Sequence, residues 1–193
     1  MSLNDMSNNL TDIITRDLDF DEDKKEIIAY AIETSLLAIL GTLLLILFAL
    51  IVGALKAALI SAVSGVLLRR FSGGAHFDSP TKCLVIGAII YSALGVLGQK
   101  LAEFNLVSDY MLWISLAIAL GIVWILAPVD SENKPIHSKK LKRNLRGLSI
   151  GVVLITFVIS ILSSNSLLSI SMSLGVFYQS LTLLPIFNRR GGG

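Results

Sequence analysis

Long apolar stretches separated by short clusters of charge set the pattern of this chain. From Thr34 to Leu68 the residues are apolar almost without interruption. As a helix this stretch would reach roughly 52 Å, whereas a bilayer core is about 30 Å thick, so the run must fold back on itself. Gly53 and Lys56 mark the break, which predicts a first span over residues 34–53 and a shorter second one over 54–68. Further apolar segments predict spans over residues 84–99, 109–127, 147–163 and 167–187, each close to the ~17–25 residues of a helix that crosses a bilayer. The expectation is an all-α integral membrane protein of about six hydrophobic helices, the second either short or re-entrant. Ahead of them, Leu10, Ile13, Ile14 and Leu18, then Ile27, Ile28 and Ala31, recur at i, i+3, i+4 spacings that make one helical face. This predicts an amphipathic interfacial helix over the N-terminal segment, residues 1–33, kinked near Phe20, followed by a polytopic domain over residues 34–190.

Composition sharpens the same picture. Of 193 residues 54% are hydrophobic and only 16% charged, with a mean hydropathy of +0.77, where soluble domains keep about 25% charged residues. Residues 1–33 hold nine of the 14 acids, unlike the usual basic lipid-surface helix, so the polar face there is either solvated or packed on another protein segment. Such an acidic start is also the opposite of a signal peptide. A net charge of +2 and the lack of an aromatic-interleaved basic stripe set nucleic-acid binding aside. Lys and Arg near span ends are retained in the cytoplasm. If all six segments cross, 14 basic residues share one side against 2; if the second is re-entrant, the division is 12 against 4. Both versions place loops 69–83 and 128–146 in the cytoplasm. The terminal glycines, 191–193, are set aside as an expression scar.

The first of these loops holds the candidate chemistry. It reads Arg69, Arg70, Phe71, Ser72, Gly73, Gly74, Ala75, His76, Phe77, Asp78, Ser79, Pro80, Thr81, Lys82, Cys83, ending on the only cysteine of the chain. A thiol attacks as thiolate, and a nearby imidazole accepts its proton and later delivers it to a leaving amine. His76 and Cys83 supply that pair. Pro80 between them breaks any helix, which lets the loop fold back. Gly73 and Gly74 permit close backbone approach or positive φ, Arg69 and Arg70 can hold a carboxylate or steady a thiolate, and Asp78 can orient the imidazole. Each residue also has a plainer reading: an inert small apolar cysteine, a polar loop histidine, a glycine turn, and arginines that mark topology. His76, Asp78 and Cys83 do not make a zinc pattern, so no metal or cofactor is called for.

The string R-R-F-S-G-G-A-H-F-D-S-P-T-K-C from Arg69 to Cys83 resembles the signature of the accessory gene regulator protein B (AgrB) family of bacterial quorum-sensing endopeptidases. Ala127, Pro128, Asn133, Lys134, Pro135 and Ile136 resemble the second stretch of that family, A-P-x-x-x-x-N-K-P-I, and size and span number agree over essentially the whole chain. The resemblance implies a cysteine peptidase of the cell membrane. It would cut an AgrD-like propeptide, hold the peptide as a thioester on Cys83 with His76 as base, and release it as a cyclic thiolactone or lactone. Arg69 and Gly74 match further positions of the motif. Where some relatives carry a lysine run, this chain has Ser131, Glu132, Asn133 and Lys134; Lys139, Lys140, Lys142, Arg143 and Arg146 are candidates to attract an acidic propeptide tail instead, or else anionic lipid. The implied partners are the propeptide and membrane lipid, with a homodimer left open. The competing expectation is a small transporter or peptide exporter without Cys/His catalysis.

Overall fold

A computed structural model describes residues 3–16, 18, 20–75, 79–129 and 138–187. The described residues form seven helices and no strand: α1 (Leu3–Thr15), α2 (Glu22–Ile51), α3 (Leu55–Ser72), α4 (Pro80–Glu103), α5 (Asp109–Leu126), α6 (Lys139–Leu162) and α7 (Ser166–Leu181). Four of them, α2, α4, α5 and α6, are long and apolar enough to cross a membrane, and the protein is an all-α membrane protein. Exposed Leu43, Leu47, Ile114, Ile118, Ile155 and Val158 present hydrocarbon outward from these helices, as a lipid surrounding requires.

Local chemistry sets the helix ends. Asp21 caps α2 by accepting from the backbone N–H of Lys24 at 3.0 Å, and Asn165 caps α7 by accepting from that of Leu168 at 3.1 Å. Pro80 opens α4 in the first turn, where its missing N–H goes unneeded. The fold-back between α2 and α3 falls at Gly53, at φ +71°. The kink expected near Phe20 is a complete break between α1 and α2, and α2 then continues through residue 33 into the bundle without interruption. α1 buries Ser7, Thr11 and Thr15 and leaves Ile13 and Ile14 exposed, so its apolar face is free for a lipid surface. Between α1 and α2 lies a groove of about 440 Å³ lined by Asp12, Glu22, Glu26 and Glu33.

The short second segment is one continuous helix, α3. α3 and α7 run side by side in the same direction through the centre of the bundle: Leu55 and Leu167 border one cavity at one end, and Gly73 meets Gln179 at the other. Their contact is made of small residues. Ser61 Oγ donates to the carbonyl of Ser171 at 2.8 Å and Ser64 Oγ to that of Met172 at 3.2 Å, and a Cβ on Gly175 would collide with the Ser61 carbonyl. Close approach of backbones through Gly and Ser is how helices associate where the hydrophobic effect gives no drive. α4 runs opposite to both, with Gly95 pressed on the Ala58 backbone. Apolar side chains complete two cores. One gathers Leu68, Leu116, Val123, Val153, Val176 and Leu183, the other Leu45, Ala49, Ala62, Ala88 and Tyr91.

Candidate active site

The site lies where α3 and α7 end and α4 begins. Arg69 and Arg70 occupy the last turn of α3, about 100° apart around the helix, and this gives them different surroundings. Arg69 is half-buried and its guanidinium donates to the carbonyl of Ala75. Arg70 is exposed. Gly73 ends α3 at φ +69°, with its N–H on the Arg69 carbonyl at 3.0 Å. Gly74 follows at φ +140°. A Cβ there would fall 2.7 Å from Thr182 Oγ1 and 2.8 Å from Gln179 Nε2. Both readings of the glycine pair therefore hold: a left-handed backbone and a close approach.

This segment is fastened from several sides. The carbonyl of Ser72 accepts from the N–H of Val129 at 2.9 Å, that of Gly73 accepts from Gln179 Nε2 at 2.9 Å, and that of Ala75 from Arg69. His76 and Asp78, the expected base and its orienting group, lie outside the described residues. Ser79 precedes α4, and Cys83 lies in the first turn of that helix, half-buried and with a free thiol. Side chains of a helix lean toward its N-terminus, so the thiol sits at the helix end. The side chain of Ser79, the residue before α4, makes no cap hydrogen bond to the first N–H groups of the helix, donors of the kind that stabilise a developing oxyanion. Toward the bundle interior, Tyr91 and Tyr178 pack edge to face with ring centroids 5.8 Å apart, and both lie within electrostatic reach of Arg69 and Cys83. Among the described residues no cluster of three or more His, Cys, Asp or Glu side chains could hold a metal.

The second basic segment is not a loop. Lys139, Lys140, Lys142, Arg143 and Arg146 belong to the first two turns of α6, because Ser138 caps the helix by accepting from the N–H of Leu141 at 3.4 Å and lysine, arginine and leucine are good helix formers. Hydropathy alone places the start at residue 147, since a helix that extends beyond the bilayer loses its apolar signature there. Lys139, Lys142, Arg143 and Arg146 fall at i, i+3, i+4 and i+7 and form a stripe, and all five side chains are exposed. Cations at a helix N-terminus oppose the macrodipole, so helix stability does not account for their position. Arg146 also ties this stripe to the site: its Nε donates to the carbonyl of Ala127 at 2.7 Å, two residues before Val129. The residues that match the rest of the second stretch, Asn133 to Ile136, lie outside the described ones.

Sequence reasoning missed the contribution of α7. Tyr178, Gln179 and Thr182 come from the far end of the chain, and Tyr91 from the middle of α4. One signal was present: a glutamine inside an apolar segment is expensive unless it has a partner.

Comparison with known proteins bears on the chain as a whole. The family model for accessory gene regulator B matches residues 7–183. The chain is similar to an AgrB-like protein of Clostridium perfringens strain SM101, with 31% identity over 96% of this chain and 93% of the other. It is also similar to an accessory gene regulator protein B of Staphylococcus aureus strain MW2, with 30% identity over 67% of this chain and 66% of the other. No solved structure matches.

Proposed function

This chain belongs to the accessory gene regulator B family, which places it in quorum sensing, and from that premise we propose that it is a membrane cysteine endopeptidase acting on an AgrD-like propeptide. The observation that carries this reading is the lone thiol of Cys83 at the start of α4, at the end of the bundle where Arg69, Gln179 and Val129 hold residues 72–75 in place. Cys83 attacks the scissile carbonyl while His76 takes the thiol proton and passes it to the departing amine. The C-terminal tail leaves and the remaining peptide stays as a thioester. A thiol or hydroxyl within that peptide then attacks the thioester carbonyl, closes the ring and returns Cys83. Hydrolysis would waste the intermediate, and a thiol at the mouth of an apolar bundle is sheltered from water. The basic-residue count puts this mouth on the cytoplasmic face of the cell membrane. Transport chemistry calls for ionisable groups inside the bundle, whereas the buried polar side chains among the described residues are hydroxyls and Gln179.

The test is mass spectrometry of the purified protein in liposomes after mixing with its propeptide. The expected result is an adduct on Cys83 that hydroxylamine removes, followed by a cyclic product. An adduct that resists hydroxylamine excludes a thioester.

The α6 stripe draws the acidic tail of the propeptide to the mouth. Attraction between exposed charges is screened over about 10 Å at 0.1 M salt, so KM is expected to rise with ionic strength. Replacing Lys139, Lys140 and Lys142 with Gln raises KM and flattens its salt dependence with kcat retained, as when binding common to ground and transition states is lost. An unchanged KM would leave the stripe a topology signal or a lipid contact.

A further inference from the structure

Gln179 is 1% exposed on a helix whose other buried residues are Ser, Gly, Ile and Val. Its amide reaches across 106 positions of sequence to the carbonyl of Gly73. Nothing in the ending of α3 requires this bond, because the N–H of Gly73 already closes the helix on Arg69. The bond falls instead in a series. Ser72 is held by Val129, Gly73 by Gln179, Gly74 by contact with Gln179 and Thr182 through the space its absent Cβ leaves, and Ala75 by Arg69. Four consecutive residues are fixed, and the next in the chain is His76. Two of the four residues that precede His76 are thus held by α7 and its C-cap, an element with no residue in the signature loop.

We propose that Gln179 is a positioning residue: through the Gly73 carbonyl it fixes the backbone that delivers His76 to Cys83. The inference rests on the peptidase reading above. Gln179 itself need not touch substrate.

The experiment compares wild type, Gln179→Met, His76→Ala and the double variant in liposomes with the propeptide. Met keeps the length of the side chain and removes the N–H donor. The expected result for Gln179→Met is a fall in kcat of about 10²-fold, the scale of an ångström misplacement, with KM nearly unchanged. In the His76→Ala background the same substitution changes nothing further, because the group it positions is gone; contacting partners show this non-additivity in a double-mutant cycle. Alkylation of Cys83 by iodoacetamide at neutral pH is measured in the same four proteins and needs no turnover. It slows with Gln179→Met and is indifferent to it once His76 is absent. Should the Met variant fail to fold by gel filtration in detergent, Gln179→Leu, which also lacks the donor and brings no polar group into the buried site, takes its place with the same expected loss. Unchanged kcat, or an equal loss in both backgrounds, overturns the positioning role. Cleavage retained by Cys83→Ala overturns the peptidase reading itself, so the two failures are told apart.

Discussion

Cys83→Ala is expected to abolish propeptide cleavage while the protein still reaches the membrane and purifies with an unchanged melting temperature. Cys83 is the only cysteine of the chain, so no neighbouring thiol can take over, and without a nucleophile no acyl-enzyme forms. The structural effect is small because the residue is half-buried in the first turn of α4, outside both apolar cores, where loss of one sulfur is worth on the order of 1 kcal/mol or less. Cleavage is followed by mass spectrometry of propeptide and released tail. Retained cleavage by the purified variant would end the peptidase reading.

The second large effect is expected at His76. His76→Ala lowers kcat by about 10² to 10⁴, the usual contribution of a general base, with KM little changed because the imidazole acts on the thiol and not on bound peptide. Raising the pH restores part of the rate, since solvent then supplies the thiolate that the imidazole no longer generates. The pH profile of the variant is therefore displaced upward from that of the wild type. A rate that merely halves, with an unaltered profile, makes His76 an ordinary loop residue.

Periodicity and hydropathy made the helices legible, because long apolar runs have few ways to satisfy their backbone in a bilayer. What they misplaced has a physical cause in each case. α6 begins at Lys139 and not at residue 147, since helical hydrogen bonding does not stop where hydrophobicity does. α2 continues through residue 33 for the same reason, its Asp21 cap lying well outside the apolar run. The glycine pair was read correctly, as both residues take positive φ and Gly74 lies against α7. Arg69 and Arg70 were indistinguishable in sequence. Only the helical phase of α3, fixed by burial of Leu68 and Ser72, turns one inward and the other to the outside. Gln179 and Tyr178 escaped because their part in the site is a contact between segments about a hundred residues apart, which no local pattern encodes.

The serine contacts in the middle of the bundle have a consequence for the mouth. Gln179 lies eight residues beyond Ser171 on α7, about 12 Å along the axis, and Gly73 twelve residues beyond Ser61 at the end of α3, about 18 Å. If α7 slipped along α3 by one residue, roughly 1.5 Å, the 2.9 Å bond between Gln179 and Gly73 would be lengthened or bent. What forbids the slip is the pair of hydroxyl-to-carbonyl bonds from Ser61 and Ser64, together with the Gly175 notch, which admits the Ser61 carbonyl at one height only. The mechanical tolerance of the mouth is thus set deep in the bundle, by side chains far from the thiol of Cys83.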